Sequence, residues 1–171
     1  HIYTFFYLEL TKHFYSPGEK HDFWELVYVD KGDVEIITDL NRYELTQGDI
    51  VFYKPNEFHS GRARNGTSPI LVILSFECKA EEMNYFEGMS FRLDENERKL
   101  LSLMVEEGMN AFDPPINSRP MARPRKNVQA PIGSEQLIQN YLEILLIQLI
   151  RKGAAHSNRI HSVMIETQYN D

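Results

Sequence analysis

The chain is short of the features that would place it outside a cell or in a membrane. Its 171 residues include one cysteine, Cys78, at the end of an apolar run. No internal disulfide can form, and such a residue is expected to be a small buried hydrophobe. That usage fits a reducing, cytoplasmic compartment, in which the sequon Asn65-Gly66-Thr67 is a chance match. No run of about 18 uncharged apolar residues is present, so a membrane-spanning helix is not expected. No basic stretch followed by an apolar one opens the chain as a secretory leader would. The chain also lacks an initial methionine and ends on Glu166–Asp171 without a packing pattern, as expected of a piece excised from a longer protein. Positive charge is scarce where it would matter for nucleic acid. Residues 1–112 hold 20 acids and 11 bases, and residues 113–171 hold five acids and seven bases. An acidic front half is a poor phosphate-binding surface. Gly-rich phosphate loops, Gly-x-Ser-x-Gly elbows and paired-cysteine motifs are missing too, so nothing points to nucleophilic catalysis.

What the sequence has in plenty is short strands. Residues 2–10 are aromatic and β-branched. "FWELVYV", "VEIIT", "YEL" and "IVFYK" follow at roughly ten-residue spacing, separated by Asp30-Lys31-Gly32, Asp39 to Arg42, Thr46-Gln47-Gly48 and Pro55-Asn56. This rhythm predicts antiparallel hairpins in a sandwich or barrel. The Pro-Gly pair of residues 15–20 predicts a turn, and the continuously apolar "ILVILSF" (70–76) predicts a strand buried on both faces.

The character changes after Lys79. Leu100, Leu101, Met104, Val105 and Met109 recur at helical spacing, with Asp94 placed to cap the helix. Residues 113–133 carry five prolines and four basic residues and read as a long loop or linker. Ser134 is placed to cap a second helix over 134–152, with Gly153 as its stop. Its apolar positions, Ile138, Tyr141, Leu142, Leu145 and Leu149 among them, form a wider band than a helix packed on one side needs. That width predicts burial against its own domain on one side and against a second subunit on the other. His156 and His161 fall in the remaining tail and are expected to be solvated.

Two stretches carry a family resemblance. Glu19-Lys20-His21-Asp22-Phe23-Trp24-Glu25, running on to Gly32, and Gly48 to His59 resemble the two motifs of the cupin superfamily. The form is that of AraC-type transcriptional regulators, and the resemblance extends through the later helices. It implies a mainly β fold with C-terminal helices: a cupin-like jelly-roll barrel over residues 1–79, then a helical dimerisation segment over 80–153. Residues 154–171 would lead toward a helix-turn-helix DNA-binding region, for which the 18 residues after Gly153 are too few. The implied partners are a small-molecule effector, a sugar among the candidates, a second copy of the chain, and DNA only through that further region. No cofactor and no catalysis are implied. The N-terminal strand is either an arm over the barrel mouth or an ordinary first strand. A pairing module with no ligand is the other non-enzymatic reading.

The same residues decide between sensor and enzyme. Enzymatic cupins carry a His-x-His, a Glu and a later His around a transition metal. Here Glu19 replaces the first His, while His21, Glu25 and His59 remain. On a straight strand four residues span roughly 13 Å, so His21 and Glu25 could meet at one ion only if the chain bends between them. The expectation is therefore an effector pocket of Glu19, His21, Phe23, Glu25, Tyr53 and His59. A Glu19/His21/Glu25/His59 metal site is the alternative. Strand parity puts Phe23, Glu25 and Val27 inward and Trp24 outward.

Overall fold

A computed structural model describes residues 1–118 and 124–169, with side chains described through Ala155. Arg119 and Arg123 of the basic loop, and the side chains of His156 and His161, lie outside the described residues. Among the described residues, nine strands form two antiparallel sheets. They are β1 (Ile2–Glu9), β2 (Tyr15–Glu19), β3 (Trp24–Lys31), β4 (Val34–Thr38), β5 (Arg42–Leu45), β6 (Asp49–Tyr53), β7 (His59–Ala63), β8 (Ile70–Phe76) and β9 (Ser90–Arg92). The larger sheet has the order β1-β8-β3-β6-β9 and the smaller β2-β7-β4-β5. Two helices follow, α1 (Glu95–Ala111) and α2 (Ser134–Tyr169). Two facing antiparallel sheets followed by helices is the fold class that the resemblance implied. The sheet draws β9 from beyond Lys79, where the barrel was expected to end.

The larger sheet is buried on both faces, which accounts for the unbroken apolar text of β3, β6 and β8. Alternate residues point inward. Val27, Val29, Val51 and Leu71 join Val34, Ile36 and Leu45 of the smaller sheet in the core between the sheets. Their neighbours Trp24, Leu26, Ile50, Phe52, Val72 and Leu74 point outward onto Leu101, Met104, Ile138, Leu142 and Leu145 of the helices. The expected parity of Trp24 and Val27 is what the sheet shows. The N-terminal stretch is an ordinary strand, since β1 pairs with β8 from Ile2 to Glu9.

Three local expectations need correction. Residues 15–19 are not a turn but β2, an edge strand paired with β7, with a register shift between Ser16 and Glu19. An edge position tolerates the missing N–H of Pro17, and the shift absorbs Gly18 at φ +110°. Periodicity missed this strand because Pro-Gly usually ends one. Ser134 does not cap α2 by accepting from the backbone; its Oγ donates to Pro131 O at 3.0 Å, and the Gly133 carbonyl receives the Leu137 N–H. Gly153 does not stop α2, which runs on to Tyr169. A Cβ at Gly153 would lie 1.8 Å from Tyr85 Oη, so the glycine is explained by close packing rather than by termination.

Asp94 caps α1 as expected, in a capping box with Glu97. Lys152 then ties the two helices, its Nζ 3.0 Å from Glu97 Oε1. The proline-rich segment is more than a linker. Ile116 is buried in the outer core, its carbonyl accepts from the Tyr7 N–H, and Phe112 bridges to Lys126.

The residues expected to pair two subunits are also placed differently. Ile138, Leu142, Leu145 and Leu149 are buried within the chain itself, against α1 and the larger sheet, and Tyr141 is half-buried. A broad apolar band is needed here because α2 lies in the angle between α1 and the sheet, so one chain covers it from two directions. Among its described side chains, the large apolar residues left exposed on α2 are Ile144 and Ile147.

Candidate functional site

The six residues expected to line a pocket lie near one another, but only Glu19, Glu25, Tyr53 and His59 border the cavity between the sheets. Glu19 ends β2, Glu25 is the second residue of β3, and His59 opens β7. Glu19 and His59 are cross-strand partners, and Glu25 faces Tyr53 across β3 and β6. His21 lies outside any strand. The chain bends at Asp22 and Phe23 before β3 begins, so the separation that a straight strand would impose does not apply. His21 Nε2 reaches 3.7 Å from Glu25 Oε2, His59 Nε2 stands 3.2 Å from the same oxygen, and His59 Nε2 is 3.6 Å from Glu19 Oε1.

Aromatic rings hold the imidazoles in place. Phe23 stacks on His21 at 4.0 Å and 7°, and Tyr3 stacks on Phe23 behind it. Tyr53 stacks on His59 at 4.1 Å and 11°. Each imidazole is also oriented by a backbone carbonyl. His21 Nδ1 lies 3.2 Å from Phe23 O, and His59 Nδ1 lies 3.0 Å from Glu57 O. A carbonyl only accepts, so both Nδ1 atoms carry the proton. In the neutral ring each Nε2 is then a lone pair turned toward Glu25. Neither Nε2 makes a hydrogen bond, although both are buried.

The charges in the cluster support one another. Burial by itself would raise the Glu25 carboxyl, but the His21 and His59 imidazoles beside it outweigh this and hold the group below its ordinary 4.5. Burial would lower the His59 imidazolium, and Glu25 together with the Glu57 carbonyl more than offsets this, raising it above 6.5. Burial and then Glu25 push the Tyr53 hydroxyl well up, so it stays neutral. The signs define a pH window. Glu25 stabilises the fold above pH 4.5, an effect lost as pH falls through its lowered folded value. His59 contributes fully below pH 6.5, an effect lost as pH rises through its raised folded value. Stability of the ligand-free protein is therefore expected to peak between these limits. Glu25→Gln should flatten that peak in urea unfolding measured inside the window and on both sides of it.

The donor set also fits a divalent transition cation. The four ligand atoms lie within 4.8 Å of one another. A tetrahedral site with bonds of about 2.1 Å has edges of about 3.4 Å, close to the three separations above. Histidines that ligate metal characteristically give the other ring N–H to a backbone carbonyl, as both do here. Glu25, His59 and His21 would form the inner ligands, with Glu19, whose side chain is 65% exposed, as a fourth from the barrel edge. An ion there would supply Lewis acidity.

Of the six expected pocket residues, Glu19, Glu25, Tyr53 and His59 line a cavity of about 330 Å³ between the sheets, and His21 and Phe23 do not. The rest of the wall is largely apolar: Phe6, Leu8, Phe14, Val27, Ile36, Leu71 and Ile73. Sequence reasoning did not name most of these residues. Phe6 and Leu8 could have been found from the inward parity of β1; Phe14 lies in a loop, and no periodic signal marks it.

Comparisons with known proteins agree with this architecture. The chain covers 88% of its length on an apo ToxT variant from Vibrio cholerae, with a TM-score of 0.53 at 13% identity and 55% of that chain covered. That likeness establishes the fold alone. Shorter matches include KdgF from a Halomonas species, at 18% identity, TM-score 0.36, and 39% and 63% of the two chains. Another is an RmlC-like cupin from Shewanella frigidimarina, at 23% identity, TM-score 0.36, and 41% and 61% of the two chains. The chain thus spans less than two thirds of each of these solved chains. No curated protein sequence matches it significantly. Among the described residues, no helix is long and apolar enough to cross a membrane. The family model of the AraC-like ligand binding domain matches residues 4–80, the segment that runs from β1 to β8, so over that segment the chain is similar to that family.

Proposed function

We propose that the chain is the effector-sensing and pairing part of a cytoplasmic AraC-type transcriptional regulator. The supporting observation is the cavity between the sheets, with Glu19, Glu25 and the unpartnered His59 Nε2 beside largely apolar walls. A small antiparallel barrel of this kind encloses one small ligand. The effector contacts Glu19, His21, Glu25 and His59 with its polar end, while Phe23 and Tyr53 fix the two rings. A sugar is disfavoured by the wall, which offers few partners to ring hydroxyls. Two copies pair through the outward face of α2, at Ile144 and Ile147 beside Tyr141, and DNA is read by a region outside this chain. A ligand changes the output of such a dimer only if it binds two arrangements unequally.

Thermal-shift screening of the chain over small metabolites tests the reading. A true effector at a hundred times its Kd adds about 2.7 kcal/mol, and for a domain of this size that raises the melting temperature by about 5 °C or more. A broad library without a single stabilising compound would leave only a pairing module.

The four converging donors favour a second reading, a metal-dependent cupin enzyme. It requires near-stoichiometric iron, manganese or zinc in the purified chain, lost in both Glu25→Ala and His59→Ala, and turnover of a substrate. Metal without turnover leaves the sensor reading in place.

A further inference from the structure

We propose that the cleft between α1 and the outer face of the larger sheet binds a free α-amino acid as its zwitterion. Arg98 takes the carboxylate, Asp30 takes the ammonium group, and the side chain lies against Val72, Leu101 and Val105. This site is distinct from the barrel cavity, and it stands whether or not that cavity senses an effector.

Strand register builds the cleft. Tyr7, Val72 and Tyr28 are direct partners across β1, β8 and β3, so two phenol rings flank one valine. Neighbouring strands lie about 4.8 Å apart, which sets the two tyrosines about 10 Å apart at the backbone. The residues beside them along each strand, Phe6, Leu8, Val27, Leu71 and Ile73, face the barrel cavity instead, so the two spaces are back to back. α1 roofs the slot with Arg98, Leu101, Ser102 and Val105, at the i, i+3, i+4 and i+7 spacing of one helix face. Asp30 near the end of β3 and Gln47 in the turn before β6 border one end, and the enclosed space is about 360 Å³.

The chemistry of these walls defines the occupant. Tyr28 is 5% exposed, yet its hydroxyl has no hydrogen-bond partner among the described residues. Burial and then Asp30 push that hydroxyl's pKa up while Arg98 pulls it down, so it is a neutral donor placed at the cleft beside both charges. Tyr7 Oη donates to Asp30 Oδ2 at 2.7 Å and leaves the other carboxylate oxygen open. The neighbouring Arg92 is paired with Asp49, whereas Arg98 and Asp30 have no charged partner among the described residues. One unmatched charge of each sign in one cleft suits a ligand that carries both. A simple amine would leave Arg98 unmatched with a second cation near it, and a simple acid would do the same to Asp30. A sugar would set hydroxyls against Val72, Leu101 and Val105, where they find no partner. The zwitterion meets every group. Its carboxylate accepts from the guanidinium fork and from the Tyr28 hydroxyl, and its ammonium donates to Asp30. An occupant touches β1, β3, β8 and α1 together and so braces the helix against the sheet.

The full chain is titrated with each proteinogenic amino acid at millimolar concentration, by calorimetry and thermal shift. The tightest binder is then compared with the matched amine lacking its carboxylate and the matched acid lacking its amine; for L-leucine these are isoamylamine and 4-methylpentanoate. The expected result is saturable binding of at least one amino acid. Its amine and its acid should each bind about tenfold or more weakly, the loss of one charge-assisted contact. Arg98→Gln, at an exposed position, should weaken binding by a similar factor with an unchanged melting temperature. Tyr28→Phe should weaken binding severalfold without lowering the melting temperature, because the hydroxyl it removes has no partner to lose. A lower melting temperature with unchanged affinity in Tyr28→Phe would mark that hydroxyl as structural and overturn its role. Loss of binding in Glu25→Gln with retention in Arg98→Gln would place the amino acid in the barrel, which overturns the cleft and favours the sensing reading. The proposal fails as well if no amino acid binds, if the amine or the acid binds as tightly as its parent, or if Arg98→Gln and Tyr28→Phe both leave binding untouched.

Discussion

Leu145→Glu is expected to abolish cooperative folding rather than to separate two subunits. Leu145 is completely buried, between α1 and the outer face of the larger sheet. The substitution removes an apolar side chain from a packed core, worth about 2–5 kcal/mol. It also places a carboxylate there with no partner, which costs several kcal/mol more or forces the group to stay protonated. The sum rivals the whole stability of an ordinary domain, about 5–15 kcal/mol. Circular dichroism should show no sharp melting transition, and the protein should elute as an aggregate. Ile147→Glu is the informative partner experiment. Ile147 is 48% exposed, so the fold should survive with a melting temperature close to that of the parent. If α2 pairs two copies through its outward face, Ile147→Glu gives a monomer by light scattering. A folded dimer in that variant would refute the proposed interface, and a cooperatively melting Leu145→Glu would refute the placement of α2.

Phe52→Ala is expected to cost about 3–5 kcal/mol while leaving the cavity intact. Phe52 is 1% exposed and packs at 4.3 Å from Phe86, joining β6 to the 3₁₀ turn that precedes β9. Deleting the ring leaves a void on the outer face of the sheet, where the surrounding strands are held by hydrogen bonds and cannot close in. The melting temperature should fall by roughly 10 °C, at about 2–4 °C per kcal/mol for a chain of this length. Its neighbour Tyr53 faces the other way, onto His59. Any ligand found for the barrel should therefore bind Phe52→Ala with nearly unchanged affinity at a temperature where the variant is folded. Loss of binding in step with loss of stability would mean that the two faces of the sheet are coupled.

The strands that were easy to read in the sequence are those of the larger sheet. β3, β6 and β8 are buried on both faces and so are apolar throughout. β2 and β7 escaped because "YSPGE" and "HSGRA" lie in the smaller sheet and mix glycine, proline and polar groups, which resemble turns. The two motifs pointed to residues that lie close together, four of which, Glu19, Glu25, Tyr53 and His59, line the cavity while His21 and Phe23 do not, and their geometry was misjudged. A 13 Å separation assumes a strand through His21, and the bend at Asp22 and Phe23 removes it. Hydrophobic periodicity also found the helices. It could not tell a helix covered twice by its own chain from one covered by a neighbour, because the apolar band is equally wide in both cases.

The continuity of α2 through Gly153 has a mechanical consequence. At 1.5 Å per residue its 36 residues form a rod of roughly 54 Å, and the stretch past Gly153 accounts for about 24 Å of that. The near half is clamped by α1 and the barrel through Ile138, Leu142, Leu145 and Leu149. The far half is then a lever arm with its fulcrum at the barrel. A reorientation of about 5° at the clamp would move the far end by roughly 2 Å. Whatever is attached there would receive small rearrangements in the barrel already magnified, and without any change in secondary structure along the way.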